Sequence, residues 1–188
     1  MARRSSTPNV VRWLGVAAPL ALVAAIGLGA LLSPEEATGS GGTAPPFTLP
    51  DTHGGEQSLD AALADGPALL YFSMGAGCDG CFVQIPEIAE GVAERDLEFV
   101  PIMPGDPQAV VSEAQRLGVA DPILLDTSVE VAEAYDMLGH YGHDTVPGHS
   151  FALVTEEREI AWVEHYAEMF VPSEEFFPAL DEGLETIR

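Results

Sequence analysis

The chain has 188 residues, enough for one globular domain and an additional terminal segment. It contains 30 acidic residues against 7 basic ones, and its formal net charge is −23 at pH 7. Such a surface repels polyanions, so nucleic acid is excluded as a partner, and we interpret the acidity as a solubility feature.

The first element in chain order is an apolar segment at residues 10–32. From Trp13 to Leu32 it holds 20 residues without a charge, close to the roughly 20 that a helix needs to cross a bilayer. Arginines precede the segment and glutamates follow it, which predicts a cytoplasmic N-terminus over residues 1–9. We therefore expect a single-pass signal-anchor in the cell membrane with the C-terminal domain extracytoplasmic. A cleaved signal peptide is the alternative.

Residues 33–45 follow and are rich in Gly, Pro, Ser and Thr. This composition is typical of a flexible linker and not of a packed element. The folded domain is therefore predicted to occupy residues 46–188.

Strands and helices alternate in the predicted domain. It opens with a short extended piece, a turn at Gly54 and Gly55, and a short helix that Ser58 caps. The elements after this opening are a buried strand at 68–73, a helix at 79–94, a strand at 97–103, a helix at 107–118, a strand at 121–126, a helix at 127–139 capped by Thr127 or Ser128, a hairpin at 150–166 and a helix at 173–187. This order predicts an α/β domain whose mixed central sheet is flanked by helices, with sites at the carboxyl edge of the sheet.

The two cysteines of the chain, Cys78 and Cys81, lie where the strand at 68–73 passes into the helix at 79–94. Unpaired N–H groups and the helix dipole favour a thiolate at Cys78. Cys81 lies one turn further in, and we expect it to be more buried and to resolve a mixed disulfide. A redox-active pair is favoured, because a structural disulfide would close a very small loop and zinc would need further ligands.

The segment YFSMGAGCDGCFVQIPEIAE resembles the active-site strand, loop and helix of thioredoxin-fold proteins. The opening APPFTLPDTHGGEQSL resembles that of membrane-tethered redoxins, meaning the thioredoxins of cytochrome c maturation and the alkyl hydroperoxide reductase/thiol-specific antioxidant group. Pro86 matches their helix-kinking proline.

The resemblance spans residues 46–188 and implies a thioredoxin-like fold and thiol–disulfide oxidoreductase activity. Cys78 would be the nucleophile and Cys81 the resolving thiol. The implied partners are protein thiol or disulfide substrates and a membrane electron-donor protein. The resemblance implies no cofactor beyond the redox-active disulfide.

The sequence departs from the family pattern around the cysteines. Asp79 is expected to raise the pKa of the neighbouring thiol and to make the pair less oxidising. Phe72 stands at the position of the buried acid that accepts a proton in thioredoxins. Gln84 stands at a position where the thioredoxins of cytochrome c maturation often have Glu. Because both acids are missing, we expect proton transfer through His149 or a water. Gly75 replaces the threonine of the peroxidatic motif. The missing motif argues against peroxidase activity. A thiol-dependent peroxidase is nevertheless the first alternative function.

The loop before the hairpin carries His140, His143 and His149. Pro147 matches the cis-proline that faces the cysteines in thioredoxin folds, so we expect a cis bond between Val146 and Pro147. The backbone of these two residues would line a groove for an extended substrate peptide. The histidines could serve in proton transfer, or could bind copper(I) together with the cysteines. A copper-binding redoxin chaperone is thus the second alternative.

Overall fold

The computed structural model describes residues 41–141 and 143–187. The predicted cytoplasmic N-terminus at 1–9 and signal-anchor at 10–32 lie outside the described residues. Within the described ranges, no helix has the length and apolar character that crossing a bilayer requires. The last residues of the predicted linker pack on the domain, because the Gly41 N–H donates to the Ile160 carbonyl oxygen at 2.9 Å and Ala44 is buried.

The elements follow the predicted order. In chain order they are β1 (Thr48–Pro50), β2 (Glu56–Ser58), α1 (Leu59–Ala62), β3 (Ala68–Phe72), α2 (Asp79–Ala93), β4 (Glu98–Met103), α3 (Pro107–Leu117), β5 (Leu124–Leu125), α4 (Glu130–Ala134), β6 (His149–Val154), β7 (Ile160–Tyr166) and α5 (Ser173–Glu185). Local capping explains several bounds. The Ser58 hydroxyl accepts from the Ala61 N–H at 3.1 Å at the start of α1, and Gly118 ends α3 in the left-handed conformation with φ 73°.

The main sheet contains five strands in the order β5-β4-β3-β6-β7. β3 pairs in parallel with β4 and antiparallel with β6, β4 pairs in parallel with β5, and β6 pairs antiparallel with β7. β3 is the central strand and is buried along its whole length, as its continuous apolar run predicts. The prediction of a mixed central sheet flanked by helices is confirmed.

Alternate residues of β3 divide the core into two layers. Leu69 and Tyr71 pack in the layer of α2, α3 and α5, which also contains both cysteines. Ala68, Leu70 and Phe72 pack in the layer of α1 and α4. Tyr71, and not Phe72, is therefore the strand residue on the cysteine side of the sheet.

The start of α4 differs from the prediction. The helix begins at Glu130 and has no side-chain cap at the residue before it, so neither Thr127 nor Ser128 has the predicted role. The buried carboxylate of Asp126 instead accepts the Ala132 N–H at 2.9 Å. This contact satisfies one free N–H of the first turn, so a hydroxyl cap is not needed there.

Candidate active site

Cys78 and Cys81 form a disulfide across the start of α2, and their Cα atoms are 5.4 Å apart. Cys78 is the N-cap residue of the helix, and its Sγ accepts the Cys81 N–H at 3.3 Å. Cys78 is 7% exposed, whereas Cys81 is fully buried. The predicted placement of the pair, with one cysteine at the helix N-terminus and the other deeper, is confirmed.

A tyrosine and a histidine lie beside the second cysteine. The Tyr71 hydroxyl donates to the Cys81 carbonyl oxygen at 3.0 Å and lies 3.2 Å from Nδ1 of His149. Both side chains are fully buried. Burial raises the pKa of Tyr71 and lowers the pKa of His149 to about 4, because each charged form would lose its hydration. The phenol and the imidazole are therefore neutral at pH 7.

The other two predicted histidines do not join this group. The His140 ring stacks on His165 with centroids 3.5 Å apart, and its Nε2 lies 2.9 Å from the Asp136 carbonyl oxygen. Nδ1 of His165 lies 2.8 Å from the Ser150 hydroxyl, and His143 is half-buried in the loop. In the part of the chain that the structure describes, no three His, Cys, Asp or Glu side chains are arranged to hold a metal ion.

The prediction of a cis-proline is wrong. No described peptide bond is cis, so the bond between Val146 and Pro147 is trans, the form that an X-Pro bond favours by about 0.5–1 kcal/mol. Gly148 separates Pro147 from the start of β6, and this extra residue lets the chain enter the strand without a cis bend. Pro147 is buried and Val146 is half-buried. Of the two predicted groove residues, Val146 is thus the more accessible.

Residues 167–171 lie in the connection between β7 and α5, and we call them the cover segment. Met169 and Val171 of this segment pack on the first turns of α2. The buried Gln84 amide donates to the Val171 carbonyl oxygen at 3.0 Å and accepts the Val171 N–H at 2.7 Å. A glutamate could not make both contacts, because a carboxylate only accepts. A Cβ at Gly80 would lie 2.6 Å from the Met169 carbonyl oxygen. The close approach of the cover segment therefore explains glycine between the cysteines.

Asp79, the acid next to Cys78, forms an ion pair. Its carboxylate contacts Arg116 of α3, and Arg116 also contacts Glu113 at 2.9 Å. Hydrogen bonds to Glu113 and Asp79 raise the pKa of Arg116 further, so the guanidinium stays charged. Because Arg116 holds a positive charge near the first cysteine, it partly offsets the effect that we expected from Asp79 alone.

Removal of this positive charge should make the Cys78 thiol less reactive. In the reduced protein, we expect Arg116→Gln to slow alkylation of Cys78 by iodoacetamide at pH 7 about twofold to threefold. Asp79→Asn should accelerate alkylation by a similar factor. The effects are small because both side chains are exposed and solvent screens them. Arg158→Gln, which breaks a remote ion pair with Asp60, is the control. Equal rates in all variants would contradict the prediction.

The buried imidazoles should make the fold less stable in acid. Burial lowers the pKa of His149 to about 4, and burial together with His140 lowers that of His165 to about 4. Both histidines titrate near pH 6.5 in the unfolded chain, which therefore binds more protons between pH 6.5 and 4. Stability should fall as the pH falls through this window, by roughly 3 kcal/mol for His149 and by less for the partly solvated His165.

Urea titrations at several pH values measure this free energy of unfolding. His149→Gln should flatten the pH dependence, whereas the same change at the exposed His53 should leave it unaltered. A wild-type free energy of unfolding that stays constant between pH 6.5 and 4 would refute the prediction.

The fold and the cysteine pair define a redoxin of the thioredoxin fold. The sequence profile of the AhpC/TSA family matches residues 40–163. The chain therefore belongs to the AhpC/TSA family.

Two relatives and one solved structure show the range of this similarity. Thiol-disulfide oxidoreductase ResA of Bacillus subtilis is 29% identical over 125 residues, which cover 63% of this chain and 69% of that protein. The Mycobacterium tuberculosis protein Rv2521, whose name assigns it to the peroxiredoxins, is 31% identical over 111 residues. These residues cover 57% of this chain and 68% of that protein. The crystal structure of peroxidoxin BcpB from Mycobacterium tuberculosis has a TM-score of 0.57 at 22% identity, covering 80% of this chain and 96% of that one. The predictions of a thioredoxin-like fold and of an oxidoreductase are confirmed.

Proposed function

We propose that the chain is a thiol–disulfide oxidoreductase that exchanges disulfides with proteins through Cys78 and Cys81. The observation that carries the proposal is the disulfide at the N-terminus of α2, with Cys78 at the cap and Cys81 fully buried. The similarity to ResA supports it.

The chemistry proceeds in two steps from the reduced protein. The Cys78 thiolate, which the helix N-terminus stabilises, attacks a substrate disulfide. A mixed disulfide forms, the substrate S–S bond breaks and one substrate thiolate leaves. In the resolving step, Cys81 loses its proton and attacks Cys78 Sγ, which forms the intramolecular disulfide and releases the second substrate sulfur. The substrate gains two electrons, and a dithiol donor must reduce the protein again.

We further propose that the domain acts outside the cytoplasm, anchored through residues 10–32, and receives its electrons from a membrane protein. The uncharged segment and the arginines before it support this location. A membrane-impermeant maleimide should label the reduced Cys78 in intact cells under conditions that leave a cytoplasmic marker thiol unlabelled. Protection of Cys78 until the membrane is broken would overturn the location.

An insulin assay tests the activity itself. The purified full-length protein in detergent should accelerate the reduction of insulin by dithiothreitol, which is measured as precipitation of the B chain. Catalytic consumption of peroxide without insulin reduction would replace the proposal by the peroxidase alternative, which the name of Rv2521 favours. Stoichiometric copper(I) retained through gel filtration, without either activity, would favour the chaperone alternative with Cys78, Cys81 and a loop histidine.

A further inference from the structure

We propose that Nε2 of His149 accepts the proton of Cys81 during the resolving step and that Tyr71 is the positioning residue that orients this imidazole. The inference rests on the proposed function, since it concerns the second half of the same exchange.

The hydrogen bonds of Tyr71 determine which nitrogen of His149 is free. A carbonyl oxygen can only accept, so the single hydroxyl hydrogen of Tyr71 points to the Cys81 carbonyl oxygen. Nδ1 of His149, 3.2 Å from the same hydroxyl, must then carry a hydrogen and donate it to the Tyr71 oxygen. The neutral imidazole therefore has its basic lone pair on Nε2.

Nε2 of His149 is buried and has no hydrogen-bond partner among the described residues, and the same is true of the Tyr166 hydroxyl. The two residues face each other across β6 and β7, with their rings nearly perpendicular and their centroids 6.3 Å apart. An unpaired polar atom in the core costs free energy, so native proteins rarely retain one without a use. A base that must be free to receive a proton is such a use.

The resolving step requires a nearby base, because Cys81 is fully buried and its thiol must lose a proton to react. Neither of the two side chains that the sequence analysis compared with a family carboxylate can serve, because Phe72 faces the other core layer and the amide of Gln84 is bonded to Val171. The titratable groups that contact the imidazole are Tyr71 from β3 and Tyr166 from β7. Cys81 at the start of α2 is linked to it through the Tyr71 hydroxyl, which contacts both the Cys81 carbonyl oxygen and Nδ1 of His149.

The proton and electron balance of this step is complete. The Cys81 S–H bond breaks and its proton goes to Nε2, which leaves a thiolate and an imidazolium. The thiolate attacks Cys78 Sγ, so the new S–S bond forms as the bond to the substrate sulfur breaks. The departing substrate thiolate takes up a proton, and the imidazole returns to its neutral form. A thiolate formed beside the imidazole raises the pKa of His149 above its value in the disulfide form, because opposite charges favour each other.

Reaction of the reduced full-length protein with 2,2′-dithiodipyridine separates the two steps. Attack by Cys78 releases a first equivalent of thiopyridone, and attack by Cys81 on the mixed disulfide releases a second. Both equivalents absorb light, so stopped-flow absorbance gives one rate for each step. Cys81→Ser defines the first phase, because it cannot produce the second.

We expect His149→Gln to keep the rate of the first phase within about twofold of the wild-type rate. The same variant should slow the second phase at pH 7 by on the order of 10²-fold, as loss of a proton acceptor does. The second phase of this variant should then accelerate about tenfold per pH unit, because hydroxide must remove the proton. Tyr71→Phe should slow the second phase by a smaller factor, and His53→Gln should change neither phase.

Two outcomes would overturn the inference while the proposed function stands. One is a second phase in His149→Gln with the wild-type rate and pH dependence. The other, measured on the wild-type protein and so independent of how variants fold, is a nitrogen NMR spectrum at pH 7 that places the imidazole hydrogen of His149 on Nε2. Absence of both phases in the wild type would instead refute the proposed function.

Discussion

Cys78→Ser should reduce insulin reductase activity to the uncatalysed rate, whereas Cys81→Ser should retain the first step and stop at the mixed disulfide. Serine at position 78 still offers an oxygen to the Cys81 N–H that the sulfur now accepts, so the cap of α2 is preserved. The lost disulfide closes a loop with a sequence separation of 3, and its removal should cost about 2 kcal/mol or less. The loss of activity is therefore chemical and not a consequence of unfolding.

Mass spectrometry distinguishes the two variants after incubation with a disulfide-containing peptide. Cys81→Ser should carry one covalently bound peptide, and Cys78→Ser should carry none. Urea titration of both variants controls for folding. If Cys78→Ser forms the adduct and Cys81→Ser does not, the roles of the two cysteines are reversed.

Gly75→Thr, which places the threonine of the peroxidatic motif in this chain, should destabilise the protein by about 3 kcal/mol or more and confer no peroxidase activity. Gly75 has a φ of 81°, a conformation that β-branched residues avoid. A Cβ at this position would also lie 2.6 Å from the carbonyl oxygen of Pro104, which is backbone and cannot rotate away. The loop before the cysteines is thus built on a different backbone from the one that a threonine requires.

Gly77 provides the matched control for this prediction. It also has a positive φ, 98°, but a Cβ there would have no neighbour within 4 Å. Gly77→Ala should therefore cost only the free energy of holding alanine at a positive φ, about 1–2 kcal/mol, and Gly75→Ala should cost clearly more. The free energies of unfolding from urea titration measure both. Equal costs at the two positions would show that the contact with Pro104 has no effect.

The features that could be predicted from the sequence depend on residues close together in the chain. The apolar run at 68–73 was sufficient to predict the central strand, and the spacing of Cys78 and Cys81 after it predicted both the start of α2 and the different burial of the two thiols. Ser58 and Gly118 marked the ends of helices because capping depends on a few neighbouring residues.

The features that were missed depend on partners far apart in the chain. Tyr71 and His149 are separated by 78 residues and Gln84 and Val171 by 87, and no local pattern indicates that they meet. Strand alternation alone could have shown that Tyr71 faces the cysteine layer, once the direction of β3 was known. Arg116 was overlooked for the same reason, since its contact with Asp79 joins two helices.

If the chain exchanges disulfides as proposed, the position of the cover segment should restrict which disulfides can reach Cys78. Its backbone lies directly against Gly80, and only 7% of Cys78 is exposed, so one side of the nucleophile is closed to a bulky partner. A disulfide recessed in a rigid globular protein cannot come within bonding distance, whereas one in a protruding or incompletely folded chain can. The accessibility of a disulfide in the substrate protein would then decide whether it reacts. A substrate protein that has completed its fold would no longer exchange its buried disulfides with Cys78.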